Sequence, residues 1–236
     1  MPSTEPFALF DCSLARYAVG RSCSNLRMLL DAIRTVPDMV LEHHMMRCAL
    51  DDPFELYEFP NDLARWCWEA LGDQVLAEEL SLVDPYAHPT IGALRATLVN
   101  VIEEQLWSAE QVRDCRPGLE LHLVGSRLAC FDTGERFSTL AALAEALPRI
   151  TLRSFFYHVH EAHRRHNDHD GHQPRNDASD DFSAWLEGLG AEESLVTSLR
   201  SVDFYFLNLG QLRSEFIEIF RHYLLPQPQV VARTTA

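Results

Sequence analysis

Two histidines and two aspartates hold matched places in this chain. His158 follows His44 by 114 residues, and Asp181 follows Asp62 by 119. Together they form a His₂Asp₂ set, with Glu161 close behind His158. Neutral imidazole and carboxylate oxygen both suit zinc, iron or manganese, so His44, His158, Asp62, Asp181 and Glu161 are the candidate metal ligands. Glu42, His43, His160 and His163 crowd the same segments. On a helix, His158 and Glu161 share a face, as do His160 and His163, and either pair can present two donors to one ion. Trp66 and Trp185 follow the two aspartates by four residues. Each is a possible ligand-stacking wall, so His44, His158, Trp66 and Trp185 are the candidate ligand-binding residues.

A plainer chemistry competes with this one. A histidine in both places can be a buried structural imidazole, bonded within its own half of the chain to a carbonyl or a cap carboxylate. Asp62 and Asp181 also suit helix N-caps, and the two tryptophans suit a core. The carboxylate-bridged di-iron pattern needs Glu-x-x-His, whereas this chain has His158-x-x-Glu161 and His44-x-x-Arg47. Cys48 near His44 is a remote candidate nucleophile. His166, His169 and His172, with Asp168 and Asp170 between them, would bind nickel or zinc adventitiously.

The elements that must position these residues are written twice. Residues 7–49 align without a gap onto 121–163: Leu9 on Leu123, Gly20 on Gly134, Ser24 on Ser138, Leu29 on Leu143, His44 on His158. The register then resumes, with Asp62 on Asp181, Trp66 on Trp185, Gly72 on Gly190, Asp84 on Asp203 and Gly92 on Gly210. Amphipathic helices match one another at apolar positions, but not at a Gly, a His, an Asp and a Trp in one order. The expected units are residues 1–113 and 114–236, packed as one pseudo-symmetric body.

Each copy opens on a β-like stretch, Phe7–Val19 or Leu119–Phe131. Gly125-Ser126 and Asp132-Thr133-Gly134 supply turn chemistry in the second, so a β-hairpin is expected in each copy. About five helices follow. Ser24 and Ser138 stand at N-cap-like positions, Pro37 and Thr151 precede the histidine helices, Asn61-Asp62 and Asp180-Asp181 start the tryptophan helices, and Gly72 and Gly190 end them. The fold class is therefore α+β and mainly helical, with two hairpins sharing one small sheet around a pseudo-two-fold. A polar loop, His166–Asp177, and a tail from Pro226 stand outside the pattern.

With 47% apolar residues the chain can build a sizeable core, and no apolar run is long enough to span a bilayer. No signal peptide is visible at the N-terminus. A net charge of −15 repels phosphate backbones and anionic lipid, so neither nucleic acid nor membrane is an expected partner. None of the six cysteines forms a C-x-x-C pair, which fits reduced thiols and a cytoplasmic setting. No phosphate-cradling, dinucleotide-binding, nucleophile-elbow or zincin motif occurs.

Val36–His44 (V-P-x-x-x-x-x-H-H), Phe59–Trp66 (F-P-N-D-L-A-R-W), Val83–Pro85 (V-D-P), Phe156–Ala162 (F-Y-H-V-H-E-A) and the run D-D-F-S-A-W-L around Asp181 resemble a bacterial family known only as a domain of unknown function. The resemblance runs from about Phe7 to Leu225. It implies a bacterial cytoplasmic protein with the same two-copy layout, and it brings no activity. The leading expectation is a non-catalytic binding or regulatory protein, holding a small ligand or a protein partner in the groove between the repeats. The alternative is a metal-dependent enzyme using His44 and His158.

Overall fold

A computed structural model describes residues 5–55, 58–108, 111–168 and 180–224. Two long strands organise it, β1 (Phe7–Cys23) and β2 (Leu121–Phe137), 17 residues each. They pair antiparallel as a single two-stranded ribbon. This corrects the expected hairpin in each copy: each β-like stretch is one continuous strand, and no second hairpin exists among the described residues. The reason lies in the turn residues. Gly134 takes φ +81° and its N–H bonds the Asp132 carboxylate at 2.8 Å, but the chain runs on as a strand. The Asp-Thr-Gly turn is spent on a bulge, where Ala8 pairs Arg136 and Phe10 pairs Asp132. Gly20, at φ +69°, sits in the counterpart bulge between Ala18 and Ser22. Gly125 and Ser126 lie mid-strand, opposite Tyr17 and Arg16.

The ladder maps onto itself at the sequence offset of 114. Phe7 pairs Phe137 and Cys23 pairs Leu121; Cys12 pairs Cys130 and Arg16 pairs Ser126. Swapping halves at that offset turns each pair into the other.

The helices follow their caps. α1 (Leu26–Thr35) starts at Asn25, whose side chain accepts from Met28 N–H, and α2 (Asp38–Met45) follows Pro37. α3 (Asp62–Trp66) starts at Asn61, α4 (Gln74–Ser81) at Asp73, and α5 (Ile91–Ser108) is the long closing helix. In the second half α6 (Leu140–Ala146) is capped by Thr139 and α7 (Leu152–Phe156) by Thr151. A wide turn, Tyr157–Glu161, leads on to α8 (Ala162–Asp168). α9 (Asp181–Leu189) is capped by Asp180, and α10 (Glu193–Arg200) and α11 (Leu209–Leu224) complete the half. The caps of α1 and α6 fall one residue after Ser24 and Ser138. Gly72 and Gly190 end their helices at positive φ, as expected. Among the described residues no helix is long and apolar enough to cross a membrane. The side chains of the His166–His172 stretch, and the tail from Pro226, lie outside what is described.

Two hydrophobic clusters form the interior, and the ribbon runs between them. The first gathers Leu29, Ile33, Leu41, Leu63, Leu80 and Leu98 with Leu121 and Leu123 from the start of β2. The second gathers Phe155, Phe156, Phe182, Leu199, Phe216 and Phe220 with Phe7, Leu9 and Cys12 from the start of β1. Each strand therefore begins in the other half's core and ends in its own. A two-stranded ribbon is marginal alone in water. Here both ends are anchored by apolar burial, at about 25 cal/mol per Å² removed from water.

Candidate functional site

The expected histidines fall into two separate and near-identical clasps. His44 Nδ1 lies 2.8 Å from Asp62 Oδ2, and His44 Nε2 accepts the backbone N–H of Val124 at 3.0 Å. His158 Nδ1 lies 2.8 Å from Asp181 Oδ2, and its Nε2 accepts the N–H of Phe10 at 2.9 Å. Phe10 and Val124 are themselves 114 apart. Because Nε2 accepts an N–H, the proton of each ring stands on Nδ1, facing the carboxylate. Both imidazoles are buried, and neither has a ring nitrogen to spare.

The ribbon explains the clasps. A two-stranded sheet has two open edges, and a residue whose N–H points outward lacks a ladder partner. Phe10 and Val124 point outward, and the histidines supply the missing acceptors. The aspartates are free to orient the rings because they are not the caps: Asn61 accepts from Ala64 N–H at 2.9 Å and Asp180 from Ser183 N–H at 2.8 Å. Burial pushes the Asp62 and Asp181 carboxyls up, but the His44 and His158 bonds, with Arg65 and Arg165, outweigh it and hold both below the usual range.

The tryptophans tie down the same strands. Trp66 Nε1 donates to Leu119 O at 2.8 Å and Trp185 Nε1 to Glu5 O at 3.0 Å, acceptors again 114 apart. Val124 pairs Ala18 while Phe10 pairs Asp132, so the clasps stand eight ribbon positions apart, about 26 Å at strand rise. The structure groups His44 with Asp62 and His158 with Asp181, and does not bring the four onto one centre. Glu161 is occupied elsewhere. Its carboxylate takes Arg47 Nε at 3.2 Å and Arg164 Nε at 3.0 Å, in a buried network with Glu42. Arg47 and Glu161 are 114 apart and so pair across the halves. The Cys48 thiol is pushed well above its ordinary range by burial and donates to His44 O at 3.4 Å, which ill suits a nucleophile. The cysteines are free thiols, buried except Cys130.

Beside the first clasp, an open cleft of about 320 Å³ is lined by Arg16, His43, Asp51, Asp62, Trp66 and His122. Donor atoms of His43, His44 and Asp62 lie within 4.8 Å of one another there. His43 Nδ1 is buried with no hydrogen-bond partner. Burial, with His44 beside it, pulls its pKa down to about 4.

A second cavity, about 180 Å³, lies between the halves. The first half contributes Met45, Met46, Cys48, Phe59, Pro60 and Tyr86, and the second His160, Tyr205, Phe206, Leu207 and Asn208. His160 is 3% exposed. Its Nδ1 shares a 2.8 Å hydrogen bond with the Tyr86 hydroxyl, while its Nε2 has no partner. Burial, with the charge of His163 behind it, pulls its pKa down to about 3, so the ring is neutral at pH 7. Tyr205 accepts from Asn61 Nδ2 at 2.9 Å and donates to Val83 O at 3.3 Å.

A family model matches residues 4–221. The chain belongs to DUF5752, a family of unknown function. A solved structure with this arrangement is OrfY from Thermoproteus tenax. It superposes with a TM-score of 0.71 at 26% identity, over 94% of this chain and 97% of that one. No curated protein matches significantly.

In this DUF5752 chain the cavity residues had a signal in the sequence. The register that sets Asp84 on Asp203 sets Tyr86 on Tyr205 two residues later, and these rings meet edge to face at 6.3 Å. His160 stood among the neighbours of His158. What the sequence did not carry was the convergence of residues more than a hundred positions apart onto one space.

Proposed function

We propose that this protein is a non-catalytic binding protein that holds a small ligand in the cavity between its two halves. One observation carries the reading: a cavity of about 180 Å³ that both halves build, with Tyr86 of the first half and His160 and Tyr205 of the second among its lining residues. The size fits a small occupant, since an engineered cavity of about 150 Å³ takes benzene. A regulatory use follows from placement, because an occupant touching both halves stabilises the state in which they are packed together.

The test is a fragment screen by thermal shift on the wild type and on Ala49→Phe; Ala49 lines the cavity, so the variant places a ring in it. Fragments should raise the melting temperature of the wild type and lose that effect in the variant. Binding that survives the substitution, or no binding at all, refutes the reading.

The chain also reads as an internal duplication whose unit is one strand followed by helices. Its support is the recurrence of the His–Asp, His–backbone and Trp–backbone bonds at one offset in the strands. Free thiols and the −15 charge support a cytoplasmic setting without nucleic-acid or membrane partners.

A second reading, a zinc, iron or manganese enzyme, is favoured by the His43, His44 and Asp62 donors. With both His44 nitrogens engaged, the ion would fall to His43 Nδ1 and the carboxylates. Metal analysis of the untagged protein decides it: stoichiometric metal lost in His43→Ala supports the enzyme, and metal-free active binding protein removes it.

A further inference from the structure

The two clasps fix the phase of the ribbon. Phe10 and Val124 turn their N–H groups away from the partner strand, onto His158 and His44. In an antiparallel pair such residues occupy non-hydrogen-bonded positions, which recur at every second residue. The register runs unbroken from Phe10–Asp132 to Ala18–Val124, so Cys12–Cys130, Leu14–Leu128 and Arg16–Ser126 are non-hydrogen-bonded pairs as well. The Cys12 N–H agrees: it bonds the Asp11 carboxylate at 2.7 Å. Opposed residues of this kind share a face, with Cα atoms about 4.5 Å apart and side chains at their closest. A disulfide spans Cα separations of about 4.4–6.8 Å. Cys12 and Cys130 therefore stand, as two thiols, where a cross-strand disulfide closes without a change of register.

Nothing in the scaffold demands cysteine here. Exchange of the halves maps this pair onto Ser126 and Arg16. Cys23, the third cysteine of the ribbon, faces Leu121. Access is one-sided, because Cys12 is buried and Cys130 exposed. The Cys12 thiol donates to Arg153 O at 3.3 Å, a bond that closure gives up. Burial, with Cys130 opposite, pushes the Cys12 thiol up to about 12, and burial raises Cys130 too, so both stay protonated at pH 7. The pair rests reduced and reacts faster as pH rises.

We propose that Cys12 and Cys130 form a thiol–disulfide site, closed by a small-molecule disulfide of the glutathione class, that locks the two halves through their shared ribbon. The Cys130 thiolate, its proton released to water, attacks one sulfur of glutathione disulfide; that S–S bond breaks and one glutathione thiolate leaves. The Cys12 thiolate, likewise deprotonated, attacks Cys130 Sγ in the mixed disulfide and expels the second glutathione thiolate. The departing thiolates take up the two protons. The cysteine pair is oxidised by two electrons, and glutathione disulfide is reduced to two glutathiones. The new bond closes a loop of more than a hundred residues and ties β1 to β2 between the clasps. The site is independent of the cavity.

The test is incubation of the full chain with glutathione disulfide at about pH 8.5, alkylation of the remaining thiols, and peptide mapping by mass spectrometry without reduction. Cys12 should be joined to Cys130, and dithiothreitol should release the link. The oxidised protein should melt about 5–15 °C higher, the shift of a long-loop cross-link in a chain of this size. Closure should be about tenfold slower one pH unit lower, as the thiolate fraction falls. Cys12→Ala should stop at one glutathione on Cys130. Cys130→Ser, a change at an exposed position, should keep the wild-type melting temperature and form no cross-link. The proposal is overturned if neither thiol reacts, if the wild type stops at the Cys130–glutathione adduct, or if the cross-link joins other cysteines. A Cys12–Cys130 bond that leaves the melting temperature unchanged overturns it too.

Discussion

His44→Ala should destabilise the protein by about 3–5 kcal/mol, through two partners in different halves. Removing the ring strips the acceptor from Val124 N–H, and an unpaired buried donor costs about 1–3 kcal/mol. It also removes a bond to an ionised carboxylate, worth about 1.5–3 kcal/mol and cushioned here because Asp62 keeps Arg65. Loss of a buried side chain adds a cavity cost. His158→Ala should fall within about 1 kcal/mol of the same value, since Phe10 and Asp181 take the same bonds and Arg165 plays the part of Arg65. Urea denaturation followed by circular dichroism measures both. A cycle of His44→Ala with Asp62→Ala should show a coupling of about 1–2 kcal/mol. Hydrogen exchange gives the local readout: in His44→Ala the Val124 amide should lose protection beyond the global change, while Phe10 does not. A stability loss under about 1 kcal/mol, with Val124 still protected, would refute the clasp and return His44 to a functional role.

Trp66→Ala should cost about 3–5 kcal/mol, the range for truncating a buried aromatic, and Trp185→Ala less, because Trp185 is only half-buried; equal losses in denaturation would contradict this. Arg47→Met should destabilise by about 3–5 kcal/mol by leaving Glu161 and Glu42 short of a buried partner, and Arg47→Met/Glu161→Leu should recover much of that loss. Acid should weaken the fold in two windows. The folded pKa of His160, about 3, lies below its unfolded value, so stability is full above about pH 6.5 and falls by about 2 kcal/mol by pH 5 as the unfolded state takes up the proton. Asp62 and Asp181 are held below the usual carboxylate range, so their contribution is present above about pH 4 and lost below it. His43, pulled down to about 4, loses stability in the same window as His160, so denaturation midpoints should fall less steeply between pH 5 and 6.5 in His160→Phe, flatten there only in His43→Phe/His160→Phe, and keep the loss below about pH 4 in both.

The local grammar of this chain was legible without coordinates. Helix positions, the capping segments at Asn61 and Asp180 and the stops at Gly72 and Gly190 all follow from residues a few positions apart, because capping and amphipathic burial are decided within a turn or two. The same locality misled at the strands. Asp132-Thr133-Gly134 has turn chemistry, but whether such a segment closes a hairpin or makes a bulge depends on what lies opposite, and that partner is β1, more than a hundred residues away. Once the strands pair across the halves, each histidine reaches an edge N–H of the other half, each tryptophan reaches the other half's backbone, and Arg47 meets Glu161. The cavity has the same origin, since Tyr86 and His160 become neighbours only when the two cores are joined by the ribbon. The sequence determined which residues could make these contacts. The tertiary structure decided which of them met, because burying the edges and apolar faces of a two-stranded ribbon is a free-energy problem for the whole chain and not for any segment of it.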